Sequence, residues 1–128
     1  MGQQQLLLII LGVIIVGIAI AIGLSLFTAN SIQANKDAMI NDVNNISANA
    51  YQYRIRTQSM GGGNNSYANY TVPTRLSSNS NATYAASGAS ASALTITGGS
   101  IANSGCSVIG TLNANGGLAL SFSGSNFQ

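Results

Sequence analysis

Apolar positions change their spacing twice along this chain. Between Leu6 and Phe27 there is no spacing at all. Leu6, Leu7, Leu8, Ile9, Ile10 and Leu11 are followed by Val13, Ile14, Ile15 and Val16, then by Ile18, Ile20, Ile22, Leu24, Leu26 and Phe27. A helix carrying this run is apolar on every face, so every face needs cover, from lipid or from other helices. About 20 such residues, at ~1.5 Å each, suffice to cross the hydrocarbon core of a bilayer. Gly12, Gly17 and Gly23 interrupt the run. Small residues of this kind fit close approach between helices, although the four-residue spacing of the GxxxG signature is absent.

From Thr28 to about Gln58 the pattern becomes one-sided. Ile32, Lys36, Met39, Val43, Ile46, Ala50 and Tyr53 recur in steps of three and four, and all except Lys36 suit burial. This period predicts that the helix continues, from about Gln4 to Gln58, with a single apolar stripe in its second half. Asn30, Ser31, Asn35, Asn41, Asn44, Asn45 and Asn49 keep the other faces polar without charge. Gly61-Gly62-Gly63-Asn64-Asn65 is the expected stop.

Beyond Ser66 the chain is rich in Ser, Asn, Gly, Ala and Thr, and alternation takes over. Leu94–Thr97, Ser107–Leu112 and Leu118–Phe122 read as three short strands, with Gly98-Gly99 and residues 113–117 as turns between them. Tyr67–Val72, ahead of Pro73, reads as an edge strand or an ordered loop. The expected fold is therefore α+β: a long N-terminal helix, apolar in its first half and amphipathic in its second, packed against a small C-terminal antiparallel sheet. Three zones follow, 1–27 as apolar transmembrane or polymer-core helix, 28–60 as its amphipathic continuation, and 61–128 as a β-rich head.

Charge changes the picture chiefly by its scarcity. Lys36, Asp37, Asp42, Arg54, Arg56 and Arg75 are the only charged side chains in 128 residues, and there is no His, Glu or Trp. A net charge of +2 without basic clustering does not make a nucleic-acid footprint. General acid–base chemistry is left with two aspartates, the tyrosines and Cys106, and metal-ligand clusters are lacking. No catalytic, cofactor-binding or metal site is expected, and the chain is not expected to be an enzyme. Cys106 is the single cysteine, which rules out an intrachain disulfide and suits a buried structural thiol.

The N-terminal segment lacks the basic n-region and small-residue cleavage site of a secretory signal, so the apolar run is expected to stay on the protein. A short polar start, an all-round apolar helix, an amphipathic continuation and a small sheet together resemble the type IV pilin superfamily. The opening Gly2-Gln3-Gln4-Gln5-Leu6-Leu7-Leu8-Ile9-Ile10 is similar to the class III signal region of archaeal-type filament proteins. That resemblance implies a prepilin peptidase acting near Met1, Gly2, Gln3 and Gln5, membrane insertion before assembly, filament assembly machinery as partner, and a homopolymer at the cell surface. N-terminal methylation belongs to the same expectation. Two features depart from the bacterial pattern. The glutamate common at the fifth mature residue is replaced by Gln5 if the chain starts at Met1, or by Leu7 if cleavage follows Gly2. The disulfide-bounded loop of many bacterial pilins is also missing, since there is one cysteine.

Asn45, Asn64, Asn69 and Asn81 each open an Asn-X-Ser/Thr sequon. Asn64, Asn69 and Asn81 fall in loop-like stretches and are the candidates for glycosylation; Asn45 falls in the helix. Two rivals share parts of the pattern. An anchored, non-polymerising envelope protein, an adhesin or scaffold, needs the anchor but not the stripe from Ile32 to Tyr53. A filamentous-phage coat protein uses one apolar helix in a polymer, but ends in a basic stretch that holds DNA, whereas here the C-terminal half offers only Arg75.

Overall fold

A computed structural model describes residues 2–127. The first helix, α1, runs Gly2–Ile55 for 54 residues. Two short helical turns follow, a 3-10 turn at Gln58–Met60 and α2 at Thr74–Ser77. Four strands complete the chain: β1 Ala82–Ser87, β2 Ala93–Ser100, β3 Ser107–Asn113 and β4 Leu118–Ser123. The fold is α+β, as the pattern of apolar positions indicates. The chain divides into two compact units, Met1–Gln33 and Ala34–Gln128, so the boundary falls inside α1.

In the first unit every described residue of the helix is exposed or part-exposed. Its best apolar window has a mean hydropathy of 3.2 and none of it is buried. Thr28, near the end of the apolar run, turns its hydroxyl back to the Leu24 carbonyl at 2.9 Å, which spares a polar group from facing outward.

In the second unit the sheet is a simple meander, β1-β2-β3-β4, with every neighbour antiparallel. Its inner face meets the helix stripe. Met39, Val43, Ile46 and Ala50 are fully or almost fully buried, as are Leu94 and Ile96 of β2 and Val108 and Leu112 of β3. Burial alternates strictly along β2, as a strand with one covered face requires. The outer face carries Thr95, Thr97, Thr111 and Ser121 around Ile109, Ala85 and Ala119, and no charge.

Several features differ from the sequence expectation. The helix ends at Ile55, three residues early, because the glycine-rich loop folds back onto it. The N–H groups of Gly63, Asn64 and Asn65 donate to the carbonyls of Tyr53, Arg56 and Arg54, at 2.8, 3.0 and 2.6 Å. These bonds satisfy carbonyls left without partners at a helix C-terminus. Gly98 and Gly99 do not form a turn; they belong to β2. A Cβ on Gly98 would sit 2.6 Å from the Tyr84 ring, so glycine there makes room for a buried tyrosine from β1. The strand β1 itself was not among the expected strands. Of the two alternatives expected for Tyr67–Val72 it is the loop, not the edge strand, with Tyr67 and Tyr70 buried and donating to the Asn113 carbonyl (2.7 Å) and Asn49 Oδ1 (2.8 Å).

Candidate polymerisation surface

Sixteen large apolar side chains between Leu6 and Phe27 are exposed, from 52% at Leu11 and Ile14 to 72% at Phe27. They comprise every residue expected to form an apolar core: Leu6, Leu7, Leu8, Ile9, Ile10, Leu11, Val13, Ile14, Ile15, Val16, Ile18, Ile20, Ile22, Leu24, Leu26 and Phe27. Fully covering each one is worth ~1.5–3 kcal/mol, so leaving all of them in water is untenable. Gly12, Gly17 and Gly23 have nothing within 4 Å of where a Cβ would stand, so nothing inside this chain requires glycine there. Each costs ~1 kcal/mol against Ala in a helix interior, which leaves an external reason as the better account.

Residues 2–35 contain no Lys, Arg, Trp or Tyr, the residues that hold helices at the two bilayer interfaces. By length and composition this helix can cross a membrane. Gly2, Gln3 and Gln5 lie at the N-terminal end of α1 and are exposed, whereas Met1 lies outside the described residues.

Three of the charged residues make contacts inside the second unit. Asp42 does more than face solvent: its Oδ2 accepts from the Tyr84 hydroxyl at 2.6 Å and from Asn79 Nδ2 at 2.8 Å. Lys36 places its Nζ 4.1 Å from the centre of the Phe122 ring, and the Arg54 guanidinium lies 5.6 Å from that of Tyr67. Burial raises the Tyr70 hydroxyl to about 12, and burial together with the Asp42 carboxylate raises that of Tyr84. Cys106 is buried and unpaired. Among the described residues no three His, Cys, Asp or Glu side chains gather as metal ligands would.

The sequons separate by environment. Asn64 and Asn69 are exposed in loops, both at positive φ (52° and 67°), and Asn45 is exposed on α1. Asn81 is half-buried immediately before β1. Its N–H donates to Asn79 Oδ1 and its carbonyl accepts from Ile101 and Asn35. An open cleft of about 250 Å³, lined by Asn49, Tyr53, Arg56, Asn69 and Tyr70, was not foreseen, because it joins α1 to a loop whose course the sequence leaves open. The stripe from Met39 to Ala50 is covered by the chain's own sheet, so it does not separate a polymer subunit from a simple anchored protein. No protein-family model, curated protein or solved structure matches this chain.

Proposed function

We propose that this chain is the structural subunit of an extracellular, type IV pilus-like helical filament serving adhesion, surface interaction or motility. The subunit waits in the cytoplasmic membrane, held by Leu6–Phe27, and is then drawn into the polymer. There the same residues of neighbouring copies cover one another while the sheets lie outside. The observation that carries this reading is the exposed, all-round apolar segment within a charge-free stretch from residue 2 to 35. A surface that accepts lipid accepts equally a bundle of identical helices, and transfer between the two costs little when no charge must move with it. Copies joined head to tail form an open helical polymer rather than a closed ring.

The filament needs no cofactor and no nucleic acid, and its subunit has no catalytic part. A prepilin peptidase would act at the Gly2–Gln3 end, and assembly machinery would supply the extraction. Electron microscopy of material sheared from cells, with mass spectrometry of the same fraction, tests the reading. Filaments composed of this chain with Leu6–Phe27 intact are the expected result. Recovery of the chain only as single copies in detergent, or without that segment, would contradict it.

A further inference from the structure

The cleft beside the end of α1 is walled by groups whose positions are already fixed. Arg56 follows the helix directly, and its main chain is held twice. Its N–H donates to the Gln52 carbonyl at 3.1 Å, and its carbonyl accepts from the Asn64 N–H at 3.0 Å. The loop wall is tied down as well. The Tyr70 N–H donates to the Tyr67 carbonyl at 3.0 Å, and the Tyr53 hydroxyl donates to the Ala68 carbonyl at 3.0 Å. The rings of Tyr53 and Tyr70 meet edge to face at 5.3 Å. Asn69, in the same turn, is exposed at a φ of 67°. A site walled in this way needs little ordering when a ligand arrives.

The cleft offers hydrogen-bond donors and a cation. The buried Tyr70 hydroxyl donates to Asn49 Oδ1 at 2.8 Å, so the acceptor end of that amide is taken and Nδ2 is left to donate elsewhere. Arg56 adds a planar fork of N–H groups matched to a carboxylate. Neither aspartate lines the cleft. All three arginines fall between residues 54 and 75, whereas both aspartates precede residue 43, so this end of the second unit is positive. A cation open to a cleft with no acid beside it favours an anion there. The Tyr53 ring and Pro73 supply an apolar wall, and the volume of about 250 Å³ suits one ring rather than a larger ligand.

We propose that this cleft binds a sugar acid, a carboxylated pyranose ring of a glycan. Arg56 and Asn49 Nδ2 receive its carboxylate, its C–H face lies against the Tyr53 ring and Pro73, and Asn69 and Thr71 bond its hydroxyls. Binding needs one head only and stands apart from polymerisation; its use at a cell surface rests on the filament reading above. Two sources supply such a sugar. One is another surface, and the other is a glycan on the chain itself, since the sequon Asn69-Tyr70-Thr71 lines the cleft.

Full-length chain in detergent, with Asn69 unmodified, tests the chemistry with methyl glucuronide as probe and methyl glucoside as its neutral counterpart. Saturation-transfer NMR should show the glucuronide bound and the glucoside weaker by about tenfold. Arg56→Gln should weaken the glucuronide by a similar factor. Asn49→Asp still accepts from Tyr70 but repels a carboxylate, so it should abolish binding. Arg75→Gln, outside the cleft, should leave it unchanged. Equal binding of the two sugars would overturn the proposal. So would equal losses from Arg56→Gln and Arg75→Gln, which mean unspecific attraction of anions, and so would acetate competing as well as the glucuronide. Should a cleft variant lose its β-sheet signal, the Tyr53 ring resonances of the unsubstituted chain decide: they shift with glucuronide if the cleft holds it and stay put if it does not. No arm requires a filament, so failure here leaves the polymer reading standing, and failure to polymerise leaves the binding result intact. Mass spectrometry of native material then separates the sources. A sugar acid on Asn69 places the ligand on the chain itself, and a bare Asn69 places it on another surface.

Discussion

The Ser100 hydroxyl donates to Asn35 Oδ1 at 2.7 Å, across 65 residues of sequence, and both side chains are buried. The same oxygen accepts from Asn103 Nδ2 at 3.1 Å, while Asn35 Nδ2 reaches the Asn81 carbonyl at 3.4 Å. One asparagine on α1 thus ties together the segment before β1, the end of β2 and the loop after it. Asn35→Ala leaves the Ser100 donor without its partner in a dry site. The expected cost is about 1–3 kcal/mol of stability, read from denaturation of the full chain in detergent with a β-sheet signal.

A second tether joins the same helix to the sheet. Asp42 holds the Tyr84 hydroxyl at 2.6 Å, and Tyr84→Phe removes that bond while keeping the ring over Gly98. Loss of a hydrogen bond to a charged acceptor is expected to cost about 1–3 kcal/mol in the same unfolding experiment. A loss near zero would mean that water replaces the hydroxyl without penalty.

Those tyrosines also set an alkaline limit. In the unfolded chain they ionise near 10, but in the folded chain Tyr70 holds its proton to about 12 and Tyr84 is raised too, as is Tyr67 by its burial. Above pH 10 the unfolded state loses these protons first. Stability is therefore expected to be unaffected by the three phenols below about pH 10 and to fall between there and about 12. Phenolate absorbance and the β-sheet signal, followed through that range, should change together.

Much of this architecture is legible without coordinates, and the exceptions share a cause. The long helix and β2, β3 and β4 announce themselves by local periodicity in Leu, Ile and Val. In contrast, β1 is built of Ala, Thr, Tyr and Ser, and what makes it a strand is Tyr84 entering the gap above Gly98, a contact 14 residues away. Gly98-Gly99 suggests a turn by composition, yet the missing side chain serves packing instead. Asp42 resembles a solvated helix charge until Tyr84 and Asn79 arrive from 42 and 37 residues downstream. For the candidate surface, the sequence is informative because an unbroken apolar run needs no distant residue to be recognised. All sixteen apolar residues expected there are exposed.

Gly98→Ala tests the packing argument directly. The new methyl would overlap the Tyr84 ring, whose Cε1 and Cδ1 lie 2.6 and 2.7 Å from its position. Overpacking of this kind is expected to destabilise the second unit by about 1–3 kcal/mol, measured by thermal unfolding. Gly99→Ala, where the nearest atom is Thr83 Oγ1 at 4.0 Å, should be much milder.

Gly17→Leu separates filament from anchor. Leucine there improves helix propensity and hydropathy, and it meets nothing within this chain, so membrane insertion and head stability should be kept or improved. If Gly17 lies where helices of neighbouring copies approach closely, the same change should abolish filaments or alter their symmetry. Unchanged filaments would remove the packing role assigned to that glycine.

The central claim is that Leu6–Phe27 is covered by the same segment of other copies. A helical reconstruction of filaments purified with the full chain tests it most directly. The expected map shows those residues packed helix against helix along the filament axis, with the sheets outermost. A map in which that segment lies on the solvent side, or is absent from the subunit, would contradict the account.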